Sequence, residues 1–221
     1  MIAEDSAELR RAVVATALAM NTAGINVNTS GNVSARCARG TRAGFVITPS
    51  GLPYGELTAA DLVFVDDAEA AIGARRPSSE WRFHFAIYAA RVDVAAIVHT
   101  HSPHATALAC QQLDIPSFHY MVAVAGGSDI RCAPYATFGT QELATNALTA
   151  LENRHACLLA HHGVIACGAD IERAFALAVE VENLARTYIA VRALGTPKLL
   201  AHDEMKRVLE RFETYGQRAV D

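Results

Sequence analysis

Two stretches of the chain, "AAIVHTH" at 95–101 and "CLLAHHGVIACG" at 157–168, are almost wholly apolar and yet carry histidines. Short apolar runs of this kind fit strands buried on both faces, and the second reads as two strands joined near His162-Gly163. Such strands need helices over both sides of their sheet. The rest of the chain supplies them. Residues 6–22 place Leu9, Val13, Thr16, Ala17 and Met20 near one helical face. "PSSEWRFHFAIYAARVD" has Pro77 and two serines ahead of Glu80, which predicts a helix with Glu80 in its first turn. Pro103 opens a further helix through Cys110. Asp170 is positioned to cap a long helix with the stripe Leu177, Val181, Leu184, Tyr188 and Val191. A last helix runs from about Asp203 to Tyr215-Gly216. With no repeat or linker, residues 1–221 form a single α/β domain, a central β-sheet covered by helices. Periodicity leaves the strand directions open.

Hydrophobic residues make up 52% of the chain and charged ones 19%, the balance of a globular protein. A net charge of −4 gives no electrostatic reason to bind nucleic acid or an anionic membrane. No apolar run approaches the roughly 18–20 residues of a membrane span, and "MIAEDSAELR" lacks signal-peptide character. Five scattered cysteines read as reduced thiols packed as small apolar side chains, and the expected location is cytoplasmic.

In a strand, residues two apart share a face, so His99 and His101 project side by side. An HxH pair alone is a weak signal. A third candidate strengthens it, because His161 and His162 sit between the two halves of the other apolar run. His162, followed by Gly163, has room to act as a ligand. Glu80 heads an apolar helix, where its plain reading is a carboxylate at the helix dipole. Three histidines and one carboxylate match a zinc site with an open position, although another divalent ion fits the same ligand types. His104 follows Pro103 and leaves the strand register; it reads as a supporting or surface histidine, as do His84, His119, His155 and His202.

"NTSGNVS", "TPSG" and "PSSE" each offer hydroxyls and backbone N–H groups, and together with a metal they point to a small phosphorylated substrate. Taken singly, each is an ordinary turn or cap. No GxxxxGK loop occurs. Lys198 and Lys206, the only lysines, lie in a turn and on a polar helix face, which disfavours Schiff-base chemistry.

"SGNVSAR", "ITPSGLPY", "PSSEWRFH", "IVHTHSPHATALA", "FHYMVAVAGG", "CAPYATFGT" and "LLAHHGVIACG", in this order, resemble the class II aldolase/adducin family over nearly the whole chain. The resemblance implies zinc held by His99, His101 and His162, with Glu80 as a fourth ligand that becomes the base once substrate displaces it. It implies phosphate contacts from Thr29, Asn32, Ser50, Gly51, Ser78 and Ser79. It also implies a homotetramer with active sites at subunit interfaces, where Tyr120 and Tyr215 reach a neighbour's site. Asn28 stands where members cleaving fuculose phosphate tend to have glycine.

The implied reaction is cleavage of a ketose 1-phosphate, L-fuculose 1-phosphate or a similar deoxy- or methylthio-pentulose 1-phosphate. Its products are dihydroxyacetone phosphate and an aldehyde, formed through a metal-stabilised enediolate. Burial is expected to raise the Glu80 pKa. A 4-epimerase, dehydratase or decarboxylase of the same fold is the alternative. An adducin-like interaction module ranks lower because the metal ligands are all present, and a zinc hydrolase lower still.

Overall fold

A computed structural model describes residues 2–214. Its strands are β1 (Asn32–Arg39), β2 (Arg42–Ile47), β3 (Val63–Asp66), β4 (Ala71–Ile72), β5 (Ala96–Thr100), β6 (Cys132–Ala133), β7 (Ala156–Leu159) and β8 (Gly163–Gly168). They form one sheet in the order β4-β3-β2-β1-β5-β8-β7-β6. Every pairing is antiparallel except β6 with β7. The near-continuous apolar runs therefore do not signal parallel strands. They arise because helices cover both faces of an antiparallel sheet.

The two faces are read directly from alternate residues. Val33, Val98, Val164 and Ala166 pack toward α1 (Ala7–Thr22), α3 (Pro103–Cys110), α5 (Ile171–Leu194) and α6 (His202–Thr214). Phe45, Ile97, Ile165 and Cys167 pack toward α2 (Trp81–Ala90) and α4 (Gln141–Ala150). The result is a three-layer α/β domain, as expected.

Helix boundaries follow their caps. Ser6, Thr140 and Asp170 accept backbone N–H bonds from residues three further on, starting α1, α4 and α5. Two sequence expectations need correction. Glu80 lies one residue ahead of α2, and its side chain makes no capping bond. Of the cysteines, only Cys37, Cys157 and Cys167 are buried; Cys132 is half-buried and Cys110 exposed, because it ends α3 on its outer side.

Candidate metal centre and its cavity

Register assembles the centre. β5 pairs with β8 so that Thr100 faces Val164, which sets the end of β5 against the turn carrying His162. On its other side β5 pairs with β1, with Asn32 opposite His99. Gly163 permits the first approach: a Cβ there would stand 2.3 Å from the Thr100 carbonyl oxygen and 3.0 Å from His101 Cδ2. Gly31 permits a similar one, where a Cβ would meet the His99 carbonyl oxygen at 2.4 Å.

Glu80, His99, His101 and His162 each direct one ligand atom into a space where all four lie within 4.8 Å of one another. Glu80 Oε2 is 3.0 Å from His99 Nε2, and Oε1 is 2.9 Å from His162 Nε2. His99 Nε2 is also 3.1 Å from His101 Nε2. Glu80 and His99 are buried, the other two partly so.

Tautomers explain what this cluster requires. His99 Nδ1 lies 2.8 Å from the Val164 carbonyl oxygen, to which it donates. With Nδ1 so engaged, Nε2 is directed at Glu80 and His101, carrying a lone pair when the ring is neutral and a proton when it is charged. Despite its closeness to His162, the buried Glu80 Oε1 has no hydrogen-bond partner of acceptable geometry. Its direction matches atoms converging on a common centre better than atoms bonded to one another. Positive charge is needed there, either a proton on an imidazole or a cation among the ligands. The residues present therefore fit a divalent ion.

The expected rise in the Glu80 pKa is not found. Burial does push the carboxyl up, but the charge of His99 and the closeness of His162 outweigh it and hold Glu80 well below the usual carboxylate range. For His101, burial and the neighbouring rings of His99 and His162 push the pKa down to about 3, so its ring stays neutral and able to ligate.

A cavity of about 400 Å³ opens at the cluster. Thr29, Ser30, Ser50, Gly51 and Ser79 form a polar wall, and Tyr135, Ala136 and Phe138 form an apolar one. Gly51 adopts φ +72° and Asn28 φ 55°; asparagine is one of the few side chains that tolerates the left-handed region. Asn32 and Ser78 stand behind the wall. Asn32 Nδ2 donates to Ser78 Oγ at 3.1 Å and to Glu80 Oε2 at 3.0 Å. A larger cleft of about 650 Å³, lined by Val94, His155, Gly168 and Arg173, lies toward the opposite end of β5 and includes none of the four ligand candidates.

Other candidates separate clearly. His161, at φ 55°, points its ring to Gln112 and Tyr135 and lines the cavity without joining the ligand group. His104 Nδ1 pairs with Glu182 at 2.6 Å. Tyr120 is half exposed, stacks between His119 and Phe212, and does not line the cavity of its own chain. Tyr215 lies outside the described residues. Sequence reasoning missed Tyr135 and Phe138, both exposed aromatics in a loop; "CAPYATFG" contained them without any period to mark them. His84, read as a plain histidine, is fully buried and bonded to Asn32.

An α/β domain in which three imidazoles and a carboxylate converge beside a polar cavity has the form of an enzyme of small-molecule chemistry whose site could hold a metal ion. The chain belongs to the class II aldolase and adducin N-terminal domain family, whose model matches residues 11–189. It is 52% identical over 211 residues to the 5-methylthioribulose-1-phosphate/5-deoxyribulose-1-phosphate aldolase of Rhodospirillum rubrum, covering 96% of this chain and 94% of that protein. It is 47% identical to the L-fuculose phosphate aldolase of Escherichia coli K12, covering 96% and 97%. A solved L-fuculose 1-phosphate aldolase superposes with a TM-score of 0.89 at 38% identity, covering 94% of this chain and 97% of that one. Within the family, the chain is a lyase of the aldolase class.

Proposed function

We propose that the protein is a zinc-dependent aldolase that cleaves a ketose 1-phosphate, of the 5-deoxy- or 5-methylthio-pentulose or L-fuculose type, into dihydroxyacetone phosphate and an aldehyde. The observation carrying this reading is the convergence of Glu80, His99, His101 and His162 at one side of a cavity whose polar wall is Thr29, Ser50, Gly51 and Ser79. A bound divalent cation supplies Lewis acidity for the electron density that collects on the carbonyl oxygen as the carbon–carbon bond breaks.

The chain's own residues do the rest. Thr29, Ser50 and Ser79 offer hydroxyls, and the Gly51 turn offers backbone N–H, to a phosphate held away from the reacting carbons. Ser78 Oγ, behind the wall, accepts from Asn32 Nδ2 and from the Glu80 backbone N–H and so braces the turn that presents Ser79 and Glu80. Anchoring the phosphate lowers the entropic part of the barrier. The bond between C3 and C4 breaks as the C4 hydroxyl gives up its proton and becomes the aldehyde, and its electron pair passes to C3. Glu80, once it has taken up a proton from solvent, delivers it to C3, and in condensation its carboxylate removes that proton from C3 again. The apolar wall of Tyr135, Ala136 and Phe138 suits the deoxygenated or thioether end of the aldehyde half. Tyr120, exposed on its own subunit, donates a proton or hydrogen bond to the aldehyde oxygen in condensation, in a neighbour's site of a homotetramer. In cleavage the C4 hydroxyl proton returns along the same path to the phenolate oxygen or to solvent.

The test is a panel of 5-deoxyribulose, 5-methylthioribulose and L-fuculose 1-phosphates, with released dihydroxyacetone phosphate measured before and after chelation. Release that stops on chelation and returns with zinc supports the reading. Epimerised product without free dihydroxyacetone phosphate would replace it with a 4-epimerase.

A further inference from the structure

Glu80 is the outer end of a buried chain of hydrogen bonds. On α2 and its cap, Glu80, His84 and Tyr88 stand four residues apart, on one helical line. On β1, Asn32 and Ser34 stand two apart and share the face that α2 covers. The two ladders interleave. Asn32 Nδ2 donates to Glu80 Oε2 at 3.0 Å, and Asn32 Oδ1 lies 2.5 Å from His84 Nε2. Ser34 Oγ lies 2.7 Å from His84 Nδ1 and 2.8 Å from the Tyr88 hydroxyl. Asn32, Ser34 and His84 are at most 2% exposed.

One ordering of protons satisfies every atom. The amide of Asn32 turns its NH2 toward the ionised Glu80, so its oxygen faces His84 and must accept. His84 then carries its proton on Nε2, and its bare Nδ1 accepts from Ser34. Ser34 in turn accepts from Tyr88. Reversing the histidine tautomer would flip the Asn32 amide and set its oxygen against the Glu80 carboxylate.

We propose that His84 is a positioning residue, which through Asn32 fixes the Glu80 carboxylate for its part in the reaction, with Ser34 and Tyr88 locking the His84 tautomer. The role of Glu80 in turnover rests on the aldolase reading; the proton order does not. Phe83, stacked on the His84 ring at 4.6 Å, and Phe45, at 6.4 Å, hold its plane. A ring so enclosed has no access to water, so its hydrogen bonds are made within the protein or not at all.

Two measurements test this. In metal-free protein labelled with 15N-histidine, His84 is expected as the neutral Nε2–H tautomer. An Nδ1–H tautomer overturns the proposal, whatever the activity. In the zinc-loaded protein, His84→Leu is expected to lose about tenfold or more in kcat, the cost of leaving buried Asn32 Oδ1 unpaired. His84→Gln places an amide nitrogen the same number of bonds from Cα as Nε2, so it is expected to recover most of the loss. Wild-type turnover in His84→Leu, or a Gln variant no better than Leu, overturns the positioning role. If His84→Leu fails to fold, the tautomer decides alone. Absence of aldol cleavage in the wild type overturns the aldolase reading separately, because the tautomer is measured without substrate or metal.

Discussion

Glu80 Oε1 and His162 Nε2 lie 2.9 Å apart in a buried pocket, yet the carboxylate oxygen completes no hydrogen bond. Two polar atoms so close and so poorly aligned with each other share a third point of convergence. His162→Ala is expected to weaken zinc binding by more than the roughly 10–100-fold that follows loss of a residue merely supporting a ligand. Titration of metal-free protein with zinc reads this directly. Unchanged affinity would remove His162 from the ligand set.

Glu80→Gln keeps the shape of the side chain and one oxygen, but loses the base. Proton exchange at C3 of dihydroxyacetone phosphate is expected to fall about 10²–10⁴-fold while much of the metal is retained. Exchange followed by NMR in deuterated buffer, beside a metal assay, separates the two effects. Exchange at the wild-type rate would assign the proton transfer to another group.

Gly163→Ala would force a Cβ against the carbonyl of Thr100, the residue at the end of β5 that faces Val164 of β8. The expected cost is about 1–3 kcal/mol of stability, read as a lower urea midpoint, with weaker zinc binding as β5 and β8 part. A variant as stable as the parent would mean that the turn relaxes without disturbing His101 and His162.

Acid should destabilise the metal-free protein through His84. Burial, with the nearby His99 charge, pushes its pKa from 6.5 down to about 3, against the pull of Glu80. Between those values the unfolded chain binds a proton that the folded chain refuses. Stability therefore falls as pH drops through that window and is insensitive to His84 above it. Glu80, also held below its ordinary value, adds to the loss at the acidic end. Urea midpoints across the window check the sign, and His84→Gln should flatten the slope. Stability rising toward acid would contradict a neutral, buried His84.

The half-exposed Tyr120 offers a test of shared sites. Tyr120→Phe and Glu80→Gln subunits, each weakly active alone, should regain up to roughly a quarter of wild-type activity when mixed, if each site draws its residues from two chains. No recovery in mixed oligomers would confine Tyr120 to its own subunit.

Local physics accounts for much of this protein from sequence. Apolar runs marked the buried strands, side chains at Ser6 and Asp170 started helices where capping chemistry predicts, and the i, i+2 spacing put His99 and His101 on one face. Those features depend on bonds within a few residues. What the tertiary structure alone decided depends on pairing across long separations. The β5–β8 register chose His162 over His161, and the β1–β5 register set Asn32 beside His99. The interleaving of β1 with α2 made His84 part of the site. Glu80, one residue short of its helix, turned to the histidines instead of to the helix end. Its acidity followed the same rule: burial is visible in an apolar sequence, but the opposing charge that overrides it arrives from a strand folded against it.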